Sequence, residues 1–288
     1  MKKINKICFI GMGLINSSLA RTLKKKSFYN ISIATSRSKE TLKTVKNLKI
    51  VDIVVSDYKE AVIDADLVVI GIPVKAYENV LKKIAKFLKP GSVITDVGSV
   101  KLNITKLVHN LIPKNVSFVP GHPIAGTENS GPEAGFDGLF DKGWCILTPK
   151  PKIDKEKINL VKEMWELVGM KVDIMDPTYH DMVLAITSHI PHIIAYSIVG
   201  TVSNLETSLK KEVIKYAASG FKDFTRIAAS DPTMWRDIML LNKSSILKML
   251  AIFKKDLATL EKAIKKEDAD FMYKLFSKTR KIRKDIIK

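Results

Sequence analysis

The run Lys6-Ile7-Cys8-Phe9-Ile10-Gly11-Met12-Gly13-Leu14-Ile15-Asn16 constrains the fold more than any other stretch of the chain. It reads as an apolar strand that stops at two closely spaced glycines and restarts as a helix. Gly11 permits the tight turn, Gly13 lets the backbone approach a pyrophosphate, and the exposed amides of Leu14 and Ile15 bind that anion. The third glycine of such a turn serves close helix–strand packing; Asn16 stands there instead, and a slightly shifted helix is expected. A pair of glycines alone is weak evidence. Behind an N-terminal strand and ahead of further strands, it predicts a dinucleotide-binding turn.

Short apolar runs and amphipathic segments alternate as far as Asp176. Strands are expected at 7–10, 31–35, 51–56, 67–72, 93–97, 118–122 and 144–147, with helices between them at 14–26 and 75–88. Strand–helix–strand repetition predicts an α/β doubly wound parallel sheet with both faces covered. After Asp176-Pro177 strand-like runs give way to helical periodicity. The domain boundaries expected are therefore 1–174 for the dinucleotide-binding domain and 175–288 for an all-α domain. Pro191 and Pro232 interrupt the helices, and Gly200 and Gly220 mark expected breaks. Segment 182–202 is too apolar for a solvent-exposed helix, which predicts burial at a subunit interface.

Composition narrows the class. A chain of 288 residues that is 46% hydrophobic and 27% charged can bury a real core. No stretch reaches the roughly 18 uninterrupted apolar residues of a membrane span, and the start does not resemble a secretory signal. Cys8 and Cys145 are too few for a disulfide framework, which suits a cytoplasmic location. The net charge of +18 comes from lysines spread along the chain rather than from a concentrated arginine-rich patch, so neither nucleic acid nor a membrane is an expected partner. Only Arg21, Arg37, Arg226, Arg236, Arg280 and Arg283 are arginines, each a candidate for work lysine does poorly.

The second strand ends Ala34-Thr35-Ser36-Arg37, with no carboxylate to hold the ribose of NAD or to repel a 2′-phosphate. Hydroxyls and a guanidinium favour NADP over NAD, although Arg37 stacked on adenine would also suit NAD. Pro73 and Val74, beyond the strand at 67–72, complete the expected cofactor contacts with Gly11, Gly13, Leu14, Ile15, Ser36 and Arg37. The loop Asp96-Val97-Gly98-Ser99-Val100-Lys101 lies where open sheets bind ligands. His122 follows at a strand end, inside the glycine-rich run Pro120–Gly131. An imidazole there either serves the structure or removes a hydroxyl proton as hydride leaves the same carbon; these residues alone leave both open. His189 and His192 have helical spacing for a metal pair, but no third ligand is evident beyond His180 and Asp181 upstream, so no metal is expected. His189 is expected to hydrogen-bond near the Pro191 kink, His109 and His180 to be exposed, Arg236 to cap a helix or meet a neighbouring subunit, and Glu128 to be either a carboxylate at a helix N-terminus or a site residue.

The run Gly121-His122-Pro123-Ile124-Ala125-Gly126-Thr127-Glu128-Asn129-Ser130-Gly131 resembles a motif of the prephenate and arogenate dehydrogenase family. So do the Asp96–Lys101 loop, Ser188-His189-Ile190-Pro191-His192, and Gly220–Arg226 followed by Asp231-Pro232-Thr233-Met234-Trp235. The similarity keeps motif order over nearly the whole chain. It implies a Rossmann-type domain joined to a helical dimerisation domain, with substrate in the cleft between them. It further implies His122 as proton acceptor, Ser99 orienting it, Arg226 clamping a substrate carboxylate, and His192, Thr127 and Trp235 lining the pocket. Prephenate is the expected substrate, with arogenate or both as the alternative. A β-hydroxyacid dehydrogenase would leave the His122 loop unexplained. A dinucleotide sensor or nucleic-acid binder would have no use for His122, Ser99 and Arg226 together. No regulatory or mutase segment is expected, which implies a single activity.

Overall fold

The computed structural model of the protein describes residues 4–127 and 129–286. From the N-terminus run β1 (Ile4–Ile10), α1 (Leu14–Lys25), β2 (Tyr29–Thr35), α2 (Lys39–Asn47), β3 (Ile53–Val54) and α3 (Tyr58–Val62). Then follow β4 (Leu67–Ile70), α4 (Tyr77–Ile84), β5 (Val93–Asp96), α5 (Leu102–Leu111) and β6 (Ser117–Val119). The six strands form one parallel sheet in the order β3-β2-β1-β4-β5-β6. The expected Rossmann-type sheet is present, and its strand order reverses between β1 and β4, where such sheets open a ligand crevice.

Alternation along each strand explains why the central strands are apolar at nearly every position. Ile7, Phe9, Leu67, Val69 and Val93 point into one core, closed by Leu19 and Leu23 of α1. Cys8, Ile10, Val68, Ile70 and Ile94 point into the other, closed by Val80, Leu81 and Ile84 of α4 and Ile104 and Val108 of α5. A strand buried on both faces cannot carry the polar residues of a half-exposed one.

The strand expected at 118–122 is divided. β6 ends the large sheet, Pro120 turns the chain, and β7 (Gly121–Ile124) starts a second sheet with β8 (Trp144–Leu147). After α6 (Lys155–Leu167), β9 (Lys171–Ile174) joins β8 in parallel. The strand expected at 51–56 shortens to Ile53–Val54 at the sheet edge. The helix expected at 75–88 has 3₁₀ turns at both ends, Val74–Ala76 and Ala85–Phe87.

Beyond β9 every described element is helical, as expected: α7 (Pro177–Leu184), a π-helical turn (Ala185–His189), α8 (Ile190–Ser203), α9 (Thr207–Lys215), α10 (Ser219–Thr225), a 3₁₀ turn (Arg226–Ala229) and α11 (Pro232–Leu241). Asp176 and Asp231 cap α7 and α11, each with proline in the first turn, where the missing N–H costs nothing. Gly200 and Gly220 lie inside α8 and α10, so neither ends a helix. Among the described residues one helical run, Pro177–Ser203, is long and apolar enough by length and mean composition to cross a membrane, although Thr187, Ser188, His189 and His192 interrupt its apolar residues. It is only partly covered within the chain: Ile186 and Val199 are exposed.

Two compact units emerge, Met1–Asn242 and Lys243–Lys288. The second is a helical hairpin of α12 (Lys243–Lys265) and α13 (Ala269–Ile286), whose first turn is capped by Asp268.

Candidate active site

The glycine turn is built by close backbone approach. Gly11 has φ +82°, its N–H donates to Thr35 O of β2 (2.8 Å), and an added Cβ would sit 2.5 Å from Gly71 O. Asn16 lies in the first turn of α1, which starts at Leu14. Its buried amide donates to Gly11 O (2.7 Å) and lies over Gly71, where a Cβ would meet it at 2.5 Å. The glycine that the turn lacks has in effect moved to the end of β4. No side chain caps α1 and no acid lies in its first turn, while a Cβ on Gly13 would meet nothing within 4 Å. The amides of Leu14 and Ile15 therefore head an open cradle that suits a diphosphate. Pro73 is exposed and Val74 buried just past β4; Ser36 is half-buried and Arg37 exposed past β2. The carboxylate of Glu40 is taken up by Ser38 Oγ (2.8 Å).

His122 lies in β7 with its ring buried. Its Nδ1 is 2.9 Å from His180 Nε2, and His180 Nδ1 is 2.8 Å from Asp181 Oδ1. Asp181 also accepts the backbone N–H groups of Lys101 (2.8 Å) and Leu102 (3.1 Å), the N-cap and first residue of α5. Burial, and then the neighbouring His180, Lys101 and His189, hold His122 well below the usual imidazole range, so it is neutral at neutral pH. Burial lowers His180 as well, against the opposing pull of Asp181. His180 is fully buried, which corrects its expected exposure, and it meets the Nδ1 side of the His122 ring. Ser99 itself is half-buried in the loop before α5.

Beneath this pair lies a buried ion pair. Lys101 Nζ reaches Asp96 Oδ2 and Gly121 O, each at 2.6 Å. Asp96 also accepts from Tyr77 Oη (3.1 Å), Gly98 N (3.0 Å) and Gly121 N (3.1 Å). Gly121 precedes His122, so one network joins the ends of β5 and β7 and the head of α5.

On the helical side, His192 stacks on Trp235 with ring centroids 3.5 Å apart, and its Nδ1 donates to Ser188 O (2.9 Å). His189 packs edge-on against Trp235, and its Nδ1 contacts Asn242 Nδ2 (3.2 Å), as a structural hydrogen-bonder should. Asn242 continues to Asp181 O (2.7 Å), tying α7 to the end of α11. Arg226 is exposed at the start of its 3₁₀ turn. Thr127 is exposed and accepts the Asn129 N–H (3.2 Å), while Glu128 lies outside the described residues. Arg236 pairs with Asp237 (2.9 Å) rather than capping a helix. His109 is half-buried edge-on to Phe118, not exposed. Among the described residues no group of three or more His, Cys, Asp or Glu side chains could hold a metal ion.

Sequence reasoning missed Asp96, Lys101, His180 and Asp181 as site residues. The first pair flanks Ser99 in a motif already singled out; the second was weighed only as metal ligands.

The chain matches the family models described as prephenate dehydrogenase, nucleotide-binding domain, over residues 19–174, and prephenate dehydrogenase, dimerization domain, over 176–278. It is 39% identical over 280 residues to the cyclohexadienyl dehydrogenase of Zymomonas mobilis, covering 96% of this chain and 94% of that protein. To the prephenate dehydrogenase of Bacillus subtilis it is 34% identical over 275 residues, covering 94% and 73%. Among solved structures, prephenate dehydrogenase from Aquifex aeolicus in complex with hydroxyphenyl propionate and NAD+ has a TM-score of 0.92 at 34% identity, covering 99% of both chains. Synechocystis arogenate dehydrogenase has a TM-score of 0.83 at 26% identity, covering 97% of this chain and 99% of that one.

Proposed function

Since the chain belongs to the prephenate dehydrogenase family and is therefore a nicotinamide-dependent dehydrogenase, we propose that it oxidises and decarboxylates prephenate to 4-hydroxyphenylpyruvate, a step of tyrosine biosynthesis. The observation that carries this reading is His122: a neutral, buried imidazole at a strand end, held through one ring nitrogen and leaving the other for a substrate. A bound dinucleotide supplies the hydride acceptor. His122 takes the proton of the ring hydroxyl as the carbon beneath it is oxidised. The dienone so formed loses its ring carboxylate as carbon dioxide, the C–C bonding pair completes the aromatic ring, and the phenolate oxygen recovers the proton. Arg226, exposed and able to offer a planar fork, holds a substrate carboxylate; Ser99, Thr127, His192 and Trp235 line the site.

NADP is favoured over NAD because Thr35, Ser36 and Arg37 end β2 without a carboxylate, and the nearby Glu40 is occupied by Ser38. The chain acts as a cytoplasmic homodimer through its helical part, whose exposed Ile186 and Val199 a second copy would cover. Arogenate, alone or beside prephenate, is the second reading, favoured by the likeness to a cyclohexadienyl dehydrogenase. The test follows the absorbance of reduced nicotinamide with each substrate crossed with NAD and NADP. Turnover of prephenate with NADP is expected; turnover of arogenate alone, or of neither acid, overturns the substrate, and faster turnover with NAD overturns the cofactor preference. His122→Asn is expected to lower kcat by roughly 10²–10⁴-fold with dinucleotide affinity unchanged, read by steady-state kinetics and dinucleotide titration.

A further inference from the structure

We propose that His180, held by Asp181, is a positioning residue that fixes the ring nitrogen of His122 used as the base; the role in catalysis rests on the dehydrogenase reading above. One chain of contacts fixes where each hydrogen sits. Asp181 accepts two backbone N–H groups at the head of α5, where the helix end favours an anion. An ionised carboxylate has no hydrogen to give, so His180 Nδ1, 2.8 Å from Asp181 Oδ1, must donate. A neutral imidazole carries one N–H, and His180 Nε2 is thereby a bare acceptor. His122 Nδ1, 2.9 Å away, must then donate to it. That spends the single hydrogen of His122 and leaves its Nε2 with a lone pair, the state a general base needs.

The opposite assignment fails at the far end of the chain. If His180 donated through Nε2, its bare Nδ1 would face the Asp181 carboxylate, lone pair against anion. Burial supports neutrality of both rings. The other ionisable groups acting on the pair are Lys101 at the head of α5, Asp96 at the end of β5, and His189 in the π-helical turn, with Cys145 on β8 beside them. When Nε2 takes the substrate hydroxyl proton, Nδ1–H stays on His180, and the same proton returns to the phenolate oxygen after carbon dioxide has left. The relay thus holds an orientation and consumes no proton.

Two measurements test this. Nitrogen NMR of the full chain, labelled at its five histidines and saturated with dinucleotide, reads each tautomer, with His122→Asn and His180→Gln spectra giving the assignments. Both His122 and His180 are expected to carry the hydrogen on Nδ1; His122 protonated on Nε2 overturns the proposal. In kinetics, His180→Leu is expected to lower kcat by about 10²-fold with dinucleotide affinity unchanged. His180→Gln, which still donates to Asp181 and accepts from His122, is expected to recover at least about tenfold of that loss. Equal loss in the two variants overturns the role. Wild-type turnover tests the substrate reading and the tautomer tests this one, so the two fail separately.

Discussion

Asn16 and Gly71 show a constraint exchanged between two positions. A dinucleotide turn needs room where α1 crosses the sheet, and glycine at the third position of the turn usually supplies it. Here the larger residue sits on the helix and the glycine on the strand side, with the Asn16 amide bonded to Gly11 O (2.7 Å). A Cβ at Gly71 would lie 2.5 Å from that amide, which is buried and cannot swing into solvent. Gly71→Ala is therefore expected to cost about 1–3 kcal/mol in urea melts and to weaken dinucleotide binding, because Asn16 must release Gly11. Adding Asn16→Gly restores the room, so the double variant should be more stable than Gly71→Ala alone. If the two changes instead add, the side chains do not share the space the geometry gives them.

The loop from β5 into α5 and its neighbour β7 depend on a buried charge pair in the same way. Lys101 and Asp96 have no solvent contact and are satisfied by each other and by the backbone of Gly98 and Gly121. Lys101→Met strands a buried carboxylate and is expected to cost about 3–5 kcal/mol in urea melts. Asp96→Asn combined with Lys101→Met should cost less than the two single changes together; strict additivity would show that the charges are not coupled. These elements also mark the limit of what the sequence displays. The strands β1, β4 and β5 are legible because two-sided burial demands unbroken apolar runs. β9 is not, since Lys171 and Asp173 alternate with only partly covered residues on a strand held by pairing to β8. The His122 loop could be singled out by its spacing, and Ser99 by its neighbours. The burial of His180 is decided by the docking of Asp181 onto backbone amides about eighty residues away, and no local pattern records that contact.

Across the whole molecule, the helical and α/β parts of the first unit meet through imidazoles that the fold keeps uncharged. Burial pushes His189 down to about 4, and His122 and His180 also lie below the ordinary value of 6.5. The unfolded chain frees these rings, which then bind protons near pH 6.5. Between pH 6.5 and about 4 the unfolded state therefore holds more protons than the folded one, and stability must fall as the pH falls. From His189 alone the loss approaches roughly 3 kcal/mol at the acid end of that window, a large share of the 5–15 kcal/mol of an ordinary domain. Carboxylates add less in the same range: burial raises Asp52 and Asp66, but Ser32 holds Asp52 and Lys89 holds Asp66 below the usual 3.8, so most of their support is lost at lower pH. Urea melts at about pH 7 and about pH 4.5 should thus differ by several kcal/mol. His189→Gln, which keeps a hydrogen-bonding group beside Asn242 but cannot ionise, should narrow that difference. A stability flat between the two pH values would mean that the histidines are solvated in solution, and the buried contact between His122 and His180 would fall with them.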